Sequence, residues 1–108
     1  MGKLSLDQAS AIAGRTIEEG RKRDLSPLTV AVVDSGGHLQ ALQRDDGSEF
    51  FRVDIAMGKA WACVGMGVPG RLLGQRASNA PHFFSALAVS SGGRFAPGPG
   101  GVLVRDSD

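Results

Sequence analysis

Residues 28–33, LTVAVV, are apolar or β-branched on both faces of an extended chain, and Asp34, Ser35, Gly36 and Gly37 follow at once. A strand that is apolar on both faces has to be covered on both, so the run predicts a central strand with layers on either side. The two glycines supply the positive-φ positions of a tight turn, and residues 38–43 then alternate, with Leu39 and Ala41 on one face. A glycine pair between an apolar run and His38 also suits a phosphate cradle or a metal-bearing turn. The alternation after the turn favours the hairpin over both.

The chain has 108 residues. A chain of this size buries about 60–70% of its unfolded surface, which supports one core, so a single domain over residues 1–108 is expected. Ser5 and Gln8 have the spacing of a capping box, and Leu4 with Ala9 that of a hydrophobic staple. Ala9, Ile12, Ala13, Thr16, Ile17 and Gly20 recur at helical spacing behind them, while Glu18 with Lys22 and Glu19 with Arg23 make i to i+4 pairs. A helix over about residues 5–22 is predicted.

Asp45, Asp46 and Gly47 turn the chain after the hairpin, and Ser48 is placed to cap a second helix with Glu49 in its first turn. Ala56, Gly58, Ala60, Ala62, Cys63 and Gly65 make that helix small-residued almost all round, so another backbone can approach it closely. The string GMGVPG at residues 65–70 matches the dinucleotide-binding pattern in letters only. That pattern needs a strand before it and a helix opening inside it, whereas here a helix precedes and Pro69 interrupts, so helix termination is the better reading. Short helices are expected over residues 71–77 and 81–87. A Gly/Pro-rich loop over residues 90–101 then leads into a strand at 102–104.

Five basic residues and no acid lie between Ile55 and Arg105, against seven basic and nine acidic residues in positions 1–54. Five separated cations without interleaved aromatics do not make a nucleic-acid surface. No apolar run approaches the roughly 20 residues of a membrane span, and the N-terminus lacks an apolar leader, so a cytoplasmic protein without membrane or nucleic-acid partners is expected. Cys63 is the only cysteine, and His38 and His82 have no Cys or carboxylate at metal-ligand spacing, so no metal site is predicted. Arg52, Ala56, Lys59 and Cys63 fall on one stripe of the second helix, where two cations separated by small residues suit a flat or anionic ligand. Pairing of Lys59 with Asp54, or simple exposure of its ammonium, explains the same pattern.

The blocks LTVAVVDSGGHLQALQRDDG, RVDIAMGKAWACVGMGVP and GGRFAPGPGGVLV, in this order, resemble the HbpS/GlcG-like family. That family groups haem-binding or haem-degradation-associated proteins and also supplies the C-terminal domain of PduO-type proteins. The resemblance covers most of the chain. It implies an α/β (α+β) domain of profilin-like layered architecture, a central antiparallel sheet flanked by helices, assembling into homo-oligomers. Residue by residue the likeness falls on Asp34, Gly36, Gly37, His38, Arg44, Asp46, Gly47, Asp54, Lys59, Gly100 and Gly101. Members continue beyond the GGV segment with a further glycine-rich strand and a final helix, which are expected to be missing here. The edge at residues 102–105 is then expected to be covered by an oligomeric neighbour, or the chain to be a fragment of a longer one.

The expected function is small-ligand binding, with haem or a related flat anionic ligand first, near the second helix and the glycine-rich loop. Arg52, Lys59, Arg94, Gly100 and Gly101 are the candidate cofactor-binding residues, and His38, His82 and Met57 are chemically able to ligate iron. An alternative is a small-metabolite enzyme with Lys59 as acid or electrostatic stabiliser and Asp34, Asp54 or His38 as proton acceptor. A third reading is a non-catalytic accessory or assembly subunit.

Overall fold

The computed structural model describes residues 3–105. The order of elements is α1 (Leu6–Lys22), β1 (Thr29–Val33), β2 (Leu39–Arg44), α2 (Phe51–Met66), α3 (Gly70–Asn79) and α4 (Pro81–Ser90). It is an α+β fold in which an antiparallel sheet is flanked by helices, as the sequence led us to expect. Ser5 caps α1 with both halves of the capping box formed: its hydroxyl accepts from the Gln8 amide at 3.1 Å and its own amide donates to Gln8 Oε1 at 3.0 Å. Ala9, Ala13, Ile17 and Gly20 form the buried face of α1, which lies against both strands. Thr16, expected on that face, is exposed, its hydroxyl donating to the Ile12 carbonyl at 2.7 Å. Arg23 pairs with Glu19 at 3.0 Å, whereas no ion pair joins Glu18 and Lys22 among the described residues.

β1 and β2 pair in register Thr29↔Arg44 through Val32↔Ala41, and an irregularity between Val32 and Val33 brings Val33 opposite Leu39. The sheet has only these two strands among the described residues. Residues 102–104, expected as a strand, pair with nothing there. They run extended, with Leu103 packed on the core and Val102 and Val104 exposed, so the apolar alternation is present without a ladder.

Ser48 departs from expectation as well. α2 begins at Phe51 without a side-chain cap. The Ser48 hydroxyl is buried instead and bonds the Thr29 hydroxyl at 2.7 Å, while its carbonyl accepts from Arg44 Nη1 at 2.6 Å. Tertiary bonds to the hairpin thus outcompete the helix end for this side chain.

α2 packs on β1 and α3, and the main core sits beyond it, where Ala62, Cys63, Leu73, Phe84 and Phe95 pack together. α2 ends as the GMGVPG string suggested, with Gly67 left-handed at φ 70° and its amide on the Cys63 carbonyl at 2.7 Å. Pro81 opens α4 at its first turn, where a missing amide costs nothing.

Candidate functional site

Lys59 and Trp61 stand two positions apart on α2, roughly 200° around the helix, so their side chains leave on opposite sides. Each organises a separate cluster.

On the Trp61 side lies the hairpin turn. Asp34 Oδ1 accepts from the amides of Gly36 and His38, both at 2.9 Å, and lies 3.1 Å from His38 Nδ1. Gly37 adopts φ 83°, and a Cβ there would stand 2.8 Å from Trp61 Nε1, so the turn is seated directly on the indole. Arg94 covers the ring from the α4-to-loop connection, with its guanidinium carbon 4.5 Å from the ring centroid and its Nε donating to the Ser91 carbonyl at 2.9 Å.

The His38 amide, followed by the other donors, holds the Asp34 carboxyl below the usual carboxylate value. A lowered folded-state value means stabilisation that is complete above the ordinary carboxylate range and disappears as pH falls through the lowered one. Asp34→Asn keeps an oxygen acceptor but does not titrate. The variant should be less stable than the parent at pH 7 and converge with it as pH falls through the lowered Asp34 value, beneath the ordinary carboxylate range, as read from Trp61 fluorescence during urea unfolding. An unchanged difference across the acid range would disprove the role of the charge.

On the Lys59 side lies the glycine-rich loop. The loop crosses α2 where its residues are smallest: a Cβ on Gly58 would stand 2.8 Å from the Arg94 carbonyl oxygen and 2.9 Å from Ala96 Cβ. Gly70 at the start of α3 donates its amide to the Gly101 carbonyl at 2.8 Å. Gly101 also rests on the Lys59 carbonyl oxygen, 3.2 Å from where its Cβ would be. The small face of α2 is therefore filled by the chain's own backbone. The Lys59 stem runs along the outer side of this loop. Its Cε lies 3.7 Å from the Cβ position of Gly98 and its Nζ 3.8 Å from that of Gly100. None of the ion pairs among the described residues involves Lys59. Cys63 is buried beneath Gly101, and burial pushes its thiol up, away from the thiolate form.

Of the residues singled out in the sequence, Lys59, Gly100 and Gly101 come together. Asp34 and His38 form a second pair at the hairpin turn. Asp54, five positions before Lys59, lies roughly 140° around α2 from it. Arg52 pairs with Glu49 at 2.8 Å, and Arg94 is engaged by Trp61 and Ser91. Sequence reasoning missed Gly98 and the stacking of Arg94 on Trp61, because both depend on a loop folding back over a helix distant in the chain. The run of glycines opposite a small-residued helix was the available signal.

Two open grooves flank α1. One, of about 440 Å³, has Gln43, Arg44 and Asp46 in its wall, and the other, of about 460 Å³, has Arg15, Thr16 and Leu28. Neither includes Lys59 or Trp61. Among the described residues no helix is long and apolar enough to cross a membrane, and no three His, Cys, Asp or Glu side chains gather as metal ligands.

The family model described as "Haem degrading protein HbpS-like" matches residues 4–108. The chain belongs to the HbpS-like family. Its fold is also that of Klebsiella pneumoniae protein ORFY, a DUF336 protein, at TM-score 0.82 and 20% identity over 99% of this chain and 72% of that one. Crystal structures of HbpS and of a double mutant of Streptomyces reticuli HbpS are similar at TM-scores of 0.72 and 0.73, with 25% and 26% identity over 89% of this chain. The chain spans 63% and 61% of those two HbpS chains, less than two thirds of their length. No curated protein matches the sequence. Membership in the HbpS-like family supports a ligand-binding role at the level of the family.

Proposed function

We propose that the chain binds a small carboxylated ligand at Lys59 and the glycine loop, as part of a homo-oligomer, with the propionates of haem as the first group to test. The observation that carries the reading is an ammonium that forms no ion pair among the described residues, held beside a loop whose glycines keep side chains out of its way. A single charged donor over exposed backbone suits a carboxylate oxygen. The family description supplies the link to haem.

The residues present fit the carboxylate edge of a tetrapyrrole, with Lys59 as the group that would hold it. When bound, haem would supply redox and oxygen chemistry at its iron. The chain's own contribution is orientation: the Lys59 stem passes beside Gly98 and Gly100, where a side chain on either would meet it, so its charge lies along the loop. Cys63 is covered by Gly101, with burial favouring its neutral thiol, and the His38 ring is tied to Asp34 at the opposite side of α2. Among the described residues Asp34 and His38 gather at the hairpin turn and Asp54 lies around the helix from Lys59, which favours binding over the acid-base alternative.

Titration with haemin should give a saturable Soret shift, weakened at least tenfold by Lys59→Met, the loss expected from removing one charge-assisted contact of about 1.5 kcal/mol. The dimethyl ester of haemin should show the same loss with the unmodified protein. No saturable shift rejects haem, and equal affinities for parent and variant reject Lys59.

A further inference from the structure

We infer that Arg94 is a positioning residue: its grip on Trp61 holds the glycine loop in its path around α2, so that one closed loop both lines Lys59 and covers Cys63. The inference rests on the reading above for what Lys59 binds, but not for the path of the loop.

The contacts of the loop advance around α2 in chain order. At 100° per residue, Gly58 lies on the arc between Trp61 and Lys59, about 60° from the first and about 100° from the second, and Cys63 lies about 40° beyond Lys59. Arg94 covers the Trp61 ring. Its carbonyl oxygen and then Ala96 come against Gly58, Gly98 and Gly100 lie beside the Lys59 side chain, and Gly101 closes over Cys63. One segment of eight residues, 94–101, thus wraps about 200° of the helix.

The start of this path is where its direction is set. Gly92 and Gly93 are left-handed, at φ 71° and 81°, so the chain reverses after α4 through two residues that have no side chain to locate them. Past the reversal, Arg94 Nε donates to the Ser91 carbonyl at 2.9 Å and the Phe95 amide donates to the Ser91 hydroxyl at 3.2 Å. The buried Phe95 ring, 5.8 Å from that of Phe84, fastens the loop to the core at one point. The Arg94 guanidinium, 4.5 Å from the indole centroid, supplies a second, and two points fix a direction. The ring it grips is itself held, since Gly37 seats the hairpin turn on Trp61 Nε1.

The test reads the loop through alkylation of Cys63 by N-ethylmaleimide in the whole chain, at low urea, where local opening rather than global unfolding sets the rate. Arg94 is exposed. Arg94→Met keeps the stem and removes the charge, and should speed alkylation about three-fold, the loss of one exposed cation–π contact. Arg94→Lys should return the rate to near that of the parent. Should Arg94→Met fail to fold, Arg94→Gln, equally without charge, takes its place. Haemin at ten times its Kd should slow alkylation of the parent about tenfold, because a ligand held by Lys59 and the loop holds the cover of Cys63 in place. Equal rates in parent and uncharged variant overturn the proposal, as does an Arg94→Lys protein that reacts as fast as the uncharged one. Haemin binding that Lys59→Met weakens, but that leaves alkylation unchanged, overturns it too. Haemin that gives no saturable Soret shift rejects the ligand reading, and the ligand-free rates then decide the role of Arg94 alone.

Discussion

Replacing Gly70 with alanine should lower the free energy of unfolding by about 3 kcal/mol, read as a lower urea midpoint at unchanged slope. The added Cβ would stand 2.2 Å from the Gly98 carbonyl oxygen and 2.9 Å from the Gly101 amide nitrogen. Both are backbone atoms, so no side chain can swing aside, and the loop itself has to lift from α3. Lifting it strains the amide of Gly70 on the Gly101 carbonyl and withdraws Gly98 and Gly100 from Lys59. Loss of ligand affinity should therefore accompany loss of stability. Gly74, one turn further along the same helix, is the internal control: its Cβ would meet Gly98 Cα and Pro99 Cδ at 3.5 Å, an ordinary contact. Gly74→Ala should be stabilising by about 0.5–1 kcal/mol, because alanine loses less backbone freedom on folding. Equal effects at the two positions would refute the loop packing.

Leu73→Ala should cost about 3 kcal/mol as well, for a different reason. Leu73 is fully buried in the cluster of Ala62, Cys63, Phe84 and Phe95, with no solvent contact to relax into. Removing its branched end leaves a cavity that α3 cannot close without moving the loop packed on Gly70. For a chain of this size a loss of that magnitude lowers the melting temperature by more than about 10 °C, measurable by circular dichroism. Leu6, which is 59% exposed, provides the comparison, and Leu6→Ala should shift stability by no more than about 0.5 kcal/mol. A Leu73→Ala protein that melts with the parent would place the core elsewhere.

Features set by neighbours in the chain were legible in the sequence. The Ser5 capping box, the buried stripe of α1, the hairpin turn at Asp34 and the stop at Gly67 all depend on residues within a few positions of one another. Three readings failed, and only the first because a distant partner intervened. Ser48 has the composition of a helix cap, but the Thr29 hydroxyl across the fold binds it instead. Thr16 fits the helical period, yet its hydroxyl is satisfied by its own helix and faces solvent. Residues 102–104 have strand composition and alternation, but a strand exists only where another chain segment bonds it, and none among the described residues does.

The candidate site divides in the same way. Lys59, Arg94, Asp34 and His38 were all visible as ionisable side chains. Their separation into two clusters was not, because it turns on the phase of α2 and on where the loop after α4 lands. Local periodicity and turn chemistry therefore determined the helices and the hairpin, while the order of three motif blocks carried the resemblance to the family. Only the tertiary structure decided that Arg52 and Arg94 are engaged by Glu49 and Trp61, that the small face of α2 receives backbone, and that Lys59 meets the glycines of the loop. Period and turn chemistry act through bonds a few residues long, whereas these contacts join elements that only the packed core brings together.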